Sequence, residues 1–455
     1  MAKKNSSYIC SQCNHEALRK IFTCPRCGGL NTIEEVVTAS SSASTAGLKS
    51  SSAVKPSEKA STISELSAKP IVRTPTGIKE LDRVLGGGLV DAEVVLFAGA
   101  PGSGKSTLSL AIADKLAKED FTILYSSGEE SKQQIALRAQ RMGVKNDHIH
   151  IASETNLESL LGHIDEINPQ LIIVDSLQTL ASTEVTGSVG SVSQSKEAAN
   201  TLTRLAKQRN IMMILINQIV KTGEFAGSEQ VQHIVDCALF LESDKDSPLK
   251  FLRANKNRFG DTMEVGVFQH TDSGIEEVSD PSGILFNDDN NYYGTASSFV
   301  SEGVRQIPVE IQSLVSRSTL PTPRKQFNGV QHNRGQIVCA ILDKFTNSRL
   351  YEKDVFVSTL SGMKINDPMS DLAIAAAILS SVKEAKKPER TMFIGELSLT
   401  GQIRGSFMIE QKLREAERLG YDAIVIPKQS KSHVSMKSSI KIYDISHIKE
   451  LNKLV

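Results

Sequence analysis

Residues 99–107 of this chain read GAPGSGKST, and no other stretch constrains its fold as strongly. Gly99, Gly104, Lys105 and Ser106 occupy the defining positions of the G-x-x-x-x-G-K-[ST] phosphate-binding loop. Such a loop joins a buried strand to a helix. The flanking sequence suits both, since residues 94–97 are apolar and 108–118 are rich in Ala and Leu. The pattern predicts a nucleoside triphosphatase.

The residue types in this P-loop suit a triphosphate. Glycines let successive backbone N–H groups curl around the phosphates, the Lys105 amine reaches the β and γ oxygens, and the Ser106 hydroxyl ligates Mg²⁺. We therefore predict that ATP and Mg²⁺ are bound by the whole stretch, namely Gly99, Ala100, Pro101, Gly102, Ser103, Gly104, Lys105, Ser106 and Thr107.

Length and charge narrow the class of protein. At 455 residues the chain is long enough for two or three domains. Lys plus Arg and Asp plus Glu both number 52, so any contact with nucleic acid must come from local patches or an assembled channel. The N-terminus is not a signal peptide, and no apolar run approaches about 18 residues. We expect a cytoplasmic protein without a membrane span.

A cluster of cysteines near the N-terminus has the spacing of a zinc site. Two C-x₂-C pairs separated by ten residues supply four thiolates for a tetrahedral Zn²⁺ ion: Cys10, Cys13, Cys24 and Cys27. A closed set of four cysteines indicates a structural rather than a catalytic zinc. Cys237 and Cys339 lie in apolar runs that are typical of a protein core.

Composition along the chain predicts an α/β protein of several domains. Residues 1–37 form the predicted zinc ribbon, 38–66 a flexible Ser/Ala-rich linker, 67–283 the ATPase domain and 284–455 a second α/β domain. In the ATPase domain strands alternate with helices, which predicts a parallel sheet covered on both faces. The predicted elements are strands over 94–97, 122–125, 171–174, 212–216, 238–241 and 354–359, and helices over 133–141, 194–208, 335–345 and 371–382.

Acidic residues after two of these strands extend the predicted nucleotide site. Residues 171–175, LIIVD, have the form of a Walker B strand whose Asp175 supports Mg²⁺. Glu129 and Glu130 follow another strand, where a carboxylate can activate the water that attacks the γ-phosphate. Which glutamate is the base is open from the sequence, and we favour Glu130.

Two of these assignments have a structural alternative. Ser131 and Gln134 form a capping-box pattern, so the segment that follows the glutamates also fits a helix start, and both interpretations can hold. Gln218 ends another strand, where it is either a sensor of the γ-phosphate or a plain polar cap.

Several motifs occur together along the chain: the four-cysteine ribbon, the linker, GGGL at 86–89, the P-loop, SSGEES at 126–131, LIIVD at 171–175 and KNRFG at 256–260. This set resembles the RadA/Sms family of bacterial RecA-related ATPases of recombination and repair, over nearly the full length. KNRFG is the signature of that family. Gln218 departs from the family pattern, since His is common at its position.

The resemblance implies an ATP-driven motor with a RecA-like core that assembles as a homo-oligomeric, hexameric ring. It also implies binding to single-stranded DNA at recombination intermediates, branch migration there, and the RecA recombinase as a partner. Lys105, Ser106 and Asp175 take the phosphate and Mg²⁺ roles. Lys256 and Arg258 take the KNRFG roles, in which a cation at a subunit boundary reaches the γ-phosphate of a neighbour.

The C-terminal region resembles the Lon-protease domain that members of this family carry. The positions of the protease nucleophile and lysine are occupied by Met369 and Glu410, so the Ser–Lys dyad is missing. Ser370 and Lys412 are one and two residues away, and such offsets turn a side chain away from a site. We expect a scaffold for ring assembly and DNA contact, with candidate cations Arg305, Arg324, Lys325 and Lys344.

Three other functions compete with a DNA motor. An ATP-dependent peptidase is favoured by the Lon-like region and opposed by Met369 and Glu410. A regulatory ATP-binding ring of the clock-protein type shares the paired glutamates, but the zinc ribbon and KNRFG oppose it. A zinc-ribbon binding module with a vestigial ATPase is opposed by the intact P-loop.

Overall fold

The computed structural model describes Thr62 and three short N-terminal strands, and then residues 71–218, 228–243, 248–271, 274–281, 292–386, 390–405, 408–434 and 439–455. The chain divides into two compact units, Met1–Pro70 and Ile71–Val455.

The first unit contains the region predicted as a zinc ribbon. Strand β1 (Ser6–Cys10) pairs antiparallel with β2 (Glu16–Ala17) and with β3 (Ile33–Val37). Three of the four predicted zinc ligands and nearly all of the predicted linker lie outside the described residues, so both stay predictions; these ligands are Cys13, Cys24 and Cys27.

In the second unit, a short ribbon of β4 (Arg73–Thr74) and β5 (Leu89–Val90) precedes a sheet of nine strands. Those strands are β6 (Val94–Gly99), β7 (Ile123–Ser127), β8 (Ile149–Ser153), β9 (Leu171–Asp175), β10 (Met212–Gln218), β11 (Cys237–Ser243), β12 (Leu249–Asn257), β13 (Val265–Thr271) and β14 (Gly274–Glu277). Their order is β14-β13-β12-β11-β6-β10-β9-β7-β8.

The strand directions confirm the predicted parallel sheet. Strands β6 to β11 run parallel to one another, and β12, β13 and β14 continue the sheet antiparallel. The five strands predicted in this region are present, with bounds that differ by at most two residues.

Helices connect these strands and carry the predicted caps. They are α1 (Lys79–Leu85), α2 (Lys105–Leu116), α3 (Lys132–Arg141), α4 (Leu157–Ile167), α5 (Val192–Arg209) and α6 (Ser228–Ile234). Helix α5 begins where the Ser191 hydroxyl accepts a hydrogen bond from the Gln194 amide, and it ends at Asn210 in the left-handed conformation. The predicted helices over 133–141 and 194–208 are therefore confirmed.

Side chains of β6 alternate between two buried faces of the sheet. Val95 and Phe97 pack in one core with Leu108 of α2, whereas Leu96 packs in the other with Leu202 of α5. Both faces are therefore covered by helices, which explains why β6 is a continuous apolar run instead of an alternating one.

The parallel register brings the predicted motifs to one edge of the sheet. Gly99 at the end of β6 lies beside Gln218 at the end of β10, and Ser127 at the end of β7 lies beside Asp175 at the end of β9. Because Asp175 also pairs with Ile216 of β10, all four strand ends adjoin. Ligands of open α/β sheets bind at such carboxyl ends.

A second sheet, of seven strands, follows in the C-terminal part. Its strands are β15 (Thr295–Glu302), β16 (Arg305–Arg317), β17 (Lys325–Asn328), β18 (Lys353–Thr359), β19 (Thr391–Phe393), β22 (Ala423–Pro427) and β23 (Lys441–Ile445), beside a ribbon of β20 (Glu396–Leu397) and β21 (Ile403–Arg404). The helices are α7 (His332–Thr346), α8 (Asp371–Lys383), α9 (Ile409–Arg418) and α10 (Ile448–Leu451).

The elements predicted in this part are confirmed as α7, β18 and α8. Helix α8 packs against β15 and β16, and its residues from Asp371 to Ser381 are buried. The predicted boundary at 283/284 lies outside the described residues. Arg305 of β16 forms an ion pair with the buried Glu80 of α1, so the two sheets are tied by a charged contact.

Candidate active site

The P-loop lies between β6, which ends at Gly99, and α2, which begins at Lys105. Gly102 and Gly104 have φ angles of 72° and 101°, a region in which glycine is favoured. A Cβ atom on Gly104 would lie 1.9 Å from Cδ1 of Ile275, so this position has no room for a side chain.

A cavity of about 260 Å³ opens over this loop. It is lined by Pro101, Gly102, Gly104, Lys105, Ser106, Thr107, Glu129, Glu130, Arg138, Asp175, Ile216, Gln218 and His270. The cavity therefore brings the P-loop, both glutamates, the Walker B aspartate and Gln218 together, as the sequence predicts. Arg138 and His270 are members that the sequence did not indicate.

Lys105 is buried at the mouth of this cavity. Its Nζ donates hydrogen bonds to the carbonyl oxygens of Gly99 and Ala100, at 2.8 and 2.9 Å. Burial lowers the pKa of Lys105, while the carboxylates of Asp175 and Glu129 act in the opposite direction. The Ser103 hydroxyl is buried and has no partner among the described residues. An amine and a free hydroxyl beside glycine N–H groups fit a phosphate chain.

Glu129 is held inside the cavity by two polar side chains. Nε2 of Gln218 donates to both of its carboxylate oxygens at 2.9 Å, and the Ser176 hydroxyl donates to Oε1 at 2.6 Å. Gln178 in turn donates to the backbone carbonyl of Gln218 at 2.9 Å. The amide of Gln218 therefore contacts the glutamate directly, which a plain polar cap would not do.

Glu130 has a different environment from its neighbour. Its Oε1 forms an ion pair with Arg138 of α3. Ser131 and Gln134 form the full capping box at the start of α3, as the pattern predicted. The segment therefore begins a helix and lines the cavity at once.

Asp175 is buried at the end of β9, and a tyrosine that the sequence analysis missed contacts it. The Tyr125 hydroxyl donates to Oδ2 of Asp175 at 2.8 Å. The signal available in the sequence was a tyrosine inside an otherwise apolar strand, because a buried tyrosine hydroxyl requires a hydrogen-bond partner.

The KNRFG residues lie away from the P-loop of their own chain. Lys256 and Asn257 of β12 pair with Ala238 and Cys237, at the start of β11. Since Cys237 lies beside Val95 and Leu241 beside Gly99, this end of the sheet is about four residues, or roughly 13 Å, from the P-loop end. Neither Lys256 nor Arg258 lines the ATP cavity.

The two KNRFG cations differ in how firmly they are held. Lys256 Nζ donates to the carbonyl oxygens at the end of α6, those of Gln232, His233 and Val235, at 2.6 to 3.1 Å. Burial lowers the pKa of Lys256, with a smaller contribution from Arg258. Arg258 is 56% exposed, and its Nη1 lies 3.4 Å from Oδ1 of Asp236.

The Lon-like region has no Ser–Lys dyad at the positions of the protease. Met369 packs in the core, and the Ser370 hydroxyl is buried and donates to the Phe299 carbonyl at 3.2 Å. Lys412 is 1% exposed, and its Nζ lies 3.2 Å from Oδ2 of Asp367 and donates to the Ser301 hydroxyl at 2.7 Å.

The ion pair with Asp367 gives Lys412 a structural role. Burial lowers the pKa of the lysine, but the Asp367 carboxylate and its hydrogen bond act in the opposite direction. An ammonium bound to a carboxylate is a poor general base for the Ser301 hydroxyl. The geometry supports a scaffold instead of a peptidase.

Two of the four candidate DNA contacts are internal ties. Arg305 is paired with Glu80 and donates to the Ser279 carbonyl at 2.7 Å. Lys325 Nζ donates to the Lys353 carbonyl at 2.6 Å. The expectation of DNA contact was therefore wrong for these two, because their charges are already used inside the fold. Arg324 and Lys344 are exposed.

Comparison with known proteins identifies the family. The chain is 36% identical to the DNA repair protein RadA of Halalkalibacterium halodurans and to that of Bacillus subtilis, and each match covers 99% of this chain and 98% of the relative. It is 40% identical to the DNA repair protein RadA of Mycolicibacterium smegmatis over 94% of this chain and 92% of that one. The chain belongs to the RadA family. The predicted resemblance is confirmed, and the protein is a DNA repair ATPase with a RecA-like P-loop core.

Family models match both large parts of this RadA-family chain. The model described as "AAA domain" matches residues 60–224, and the one described as "Subunit ChlI of Mg-chelatase" matches residues 329–430, which supports the Lon-like class of the C-terminal part. A solved structure, the KaiC-like protein PH0186 of Pyrococcus horikoshii, is 18% identical and aligns with a TM-score of 0.39 over 46% of this chain and 100% of its own. Within the described residues no helix is long and apolar enough to cross a membrane.

Proposed function

We propose that the protein is a DNA-dependent ATPase motor that forms a homo-oligomeric, hexameric ring, binds single-stranded DNA at recombination intermediates and promotes branch migration. The position of KNRFG carries this proposal. Arg258 lies at the opposite end of the sheet from the P-loop of its own chain, so it can act on a nucleotide only across a boundary with a second copy. Hydrolysis that needs two copies suits a ring in which turnover and movement are coupled.

Within one subunit, the P-loop and the Walker B strand hold the nucleotide. Lys105 releases its bonds to the Gly99 and Ala100 carbonyls to bind the β and γ oxygens. Ser106 and Asp175 hold Mg²⁺, which neutralises phosphate charge. The loop N–H groups bind the remaining oxygens of the phosphates.

We assign the general base to Glu129 rather than to Glu130. Glu129 points into the cavity under the control of Gln218 and Ser176, whereas Glu130 is committed to Arg138. Gln218 donates to Glu129 and lines the same cavity, so it can transmit the presence of a γ-phosphate to the base.

Paired substitutions separate the two glutamates. Glu129→Gln is expected to lower ATP turnover by about 10² to 10⁴ while nucleotide binding persists, because the amide cannot accept a proton. Glu130→Gln should retain most of the turnover, since it alters the contact with Arg138 only. Single-turnover phosphate release and equilibrium binding of ATP measure both. The reverse order of losses would return the role to Glu130.

The remaining assignments rest on family resemblance and sequence spacing. We propose that Cys10, Cys13, Cys24 and Cys27 bind a structural Zn²⁺, that the RecA recombinase is a partner, and that the protein acts in the cytoplasm. Arg324 and Lys344 are the exposed cations offered to DNA in the Lon-like part.

Phosphate release with and without single-stranded DNA tests the motor. A DNA-dependent ATPase should hydrolyse ATP faster when a single strand without secondary structure is added, and the stimulation should weaken as salt rises. Turnover that is the same with and without DNA would favour a regulatory ATP-binding ring.

A further inference from the structure

Tyr125 is a buried polar group at the nucleotide site to which the proposed mechanism gives no role. It lies on β7, its side chain is 0% exposed, and the strand around it is apolar except near its end. A hydroxyl at such a place destabilises a fold unless it is hydrogen-bonded. Its partner is the Walker B carboxylate, at 2.8 Å.

The register of the sheet explains this contact. Tyr125 pairs with Ile173 of β9, and Asp175 is two residues further along the same strand. Residues two apart in a strand share a face and are about 6.6 Å apart, which is close to the reach of a tyrosine side chain. The ring therefore runs along the face of the sheet, and its hydroxyl ends beside Oδ2 of Asp175.

The contact commits one oxygen of the carboxylate. Among the described residues, no other side chain donates a recorded hydrogen bond to Asp175. Burial raises the pKa of Tyr125, and the Asp175 carboxylate raises it further. The phenol therefore remains protonated and serves as a donor at any working pH.

We propose that Tyr125 is a positioning residue that fixes the orientation of the Asp175 carboxylate, leaving the other oxygen for the Mg²⁺–nucleotide complex. The inference rests on the proposed role of Asp175 in holding Mg²⁺. Without the hydroxyl, the carboxylate loses its donor and rotates among other orientations, so part of the affinity for Mg²⁺ is spent on reorienting it.

Tyr125→Phe tests the proposal, because phenylalanine fills the same space without donating. A fluorescent ADP analogue is bound to the full chain, and Mg²⁺ is titrated from EDTA to saturation. The Mg²⁺ concentration at half-saturation is expected to rise about tenfold in Tyr125→Phe, in line with the loss of one hydrogen bond to a charged group. Affinity for the analogue in EDTA should stay unchanged, since Tyr125 does not line the cavity.

Ser126→Ala is the matched control. It also removes a buried hydroxyl from β7, but that hydroxyl has no partner among the described residues. Its Mg²⁺ half-saturation should equal that of the wild type. A rescue variant carries 4-aminophenylalanine at position 125, whose amine can donate to Asp175, and it should restore the wild-type value.

Three outcomes would overturn the proposal. They are an unchanged Mg²⁺ half-saturation in a folded Tyr125→Phe, an equal shift in Ser126→Ala, and a 4-aminophenylalanine variant that behaves like Phe. If Tyr125→Phe does not fold, 4-fluorophenylalanine at position 125 replaces it, because fluorine fills the hydroxyl space without donating. A wild type that binds no Mg²⁺–nucleotide would instead refute the assignment of the site. Since this assay needs no DNA, it is independent of the test of the motor.

Discussion

Lys105→Ala is expected to reduce ATP turnover by about 10³-fold or more, because the amine is the cation that the P-loop offers to the β and γ oxygens. Its present partners are carbonyl oxygens of the loop at 2.8 and 2.9 Å, in a cavity that also contains Asp175 and Glu129. Those carbonyls border a cavity that water can enter, so the variant should keep its fold. Phosphate release at saturating ATP measures the loss, and thermal unfolding confirms the fold.

Lys118→Ala is the control for Lys105→Ala. Lys118 follows the same helix, is 67% exposed and lies 3.6 Å from Asp120. Loss of such an exposed pair changes stability by less than about 1 kcal/mol and should leave turnover intact. Turnover near the wild-type rate in Lys105→Ala would refute the assignment of residues 99–107 as the nucleotide site.

Arg258→Ala is expected to fold and to bind nucleotide, yet to lose DNA-stimulated turnover and branch migration. Arg258 is 56% exposed and is held only loosely, by Asp236, so its removal should affect stability little. A cation supplied in trans to a γ-phosphate contributes about 10³ to 10⁵ in rate. Arg204→Ala, which removes an exposed arginine of α5, is the control.

Mixing two inactive variants tests action between subunits. In a ring that contains Lys105→Ala and Arg258→Ala copies, some boundaries combine an intact P-loop from one copy with an intact Arg258 from the other. DNA-stimulated turnover should therefore return in part. No recovery in rings shown to contain both variants, or normal branch migration by Arg258→Ala alone, would contradict the trans role.

Lys256 is a less informative target than Arg258. Its amine caps the carbonyl end of α6 through three hydrogen bonds, so Lys256→Ala would disturb local structure together with any role in catalysis. The sequence presents the two cations as equals within one pentapeptide. Their environments differ because one side chain lies over a helix end and the other is directed to solvent.

The parts of the site that sequence predicted well depend on local chemistry. The P-loop requires glycines with positive φ angles, and Gly102 and Gly104 adopt them. Parallel strands end at one edge, so Asp175, Glu129 and Gln218 were expected beside the loop once their strands were recognised.

The parts that sequence missed depend on the register between strands and on helix packing. Tyr125 meets Asp175 only because β7 and β9 are neighbours in register, although they are distant in sequence. Arg138 draws Glu130 away from the nucleotide because α3 starts immediately after the glutamates and returns an arginine two turns later. Lys412 meets Asp367 and Ser301 through the packing of α9, which no motif encodes.

The sequence by itself determined that this chain binds a triphosphate, since the spacing of glycines, lysine and serine encodes a backbone shape and a charge that need no distant partner. Tertiary structure alone decided how its acidic and basic groups are divided. It placed Glu129 in the cavity and Glu130 on Arg138, and it separated Arg258 from the P-loop by the length of a strand. The physical reason is that a charge acts through the few ångströms around it, and only folding decides which groups occupy that space.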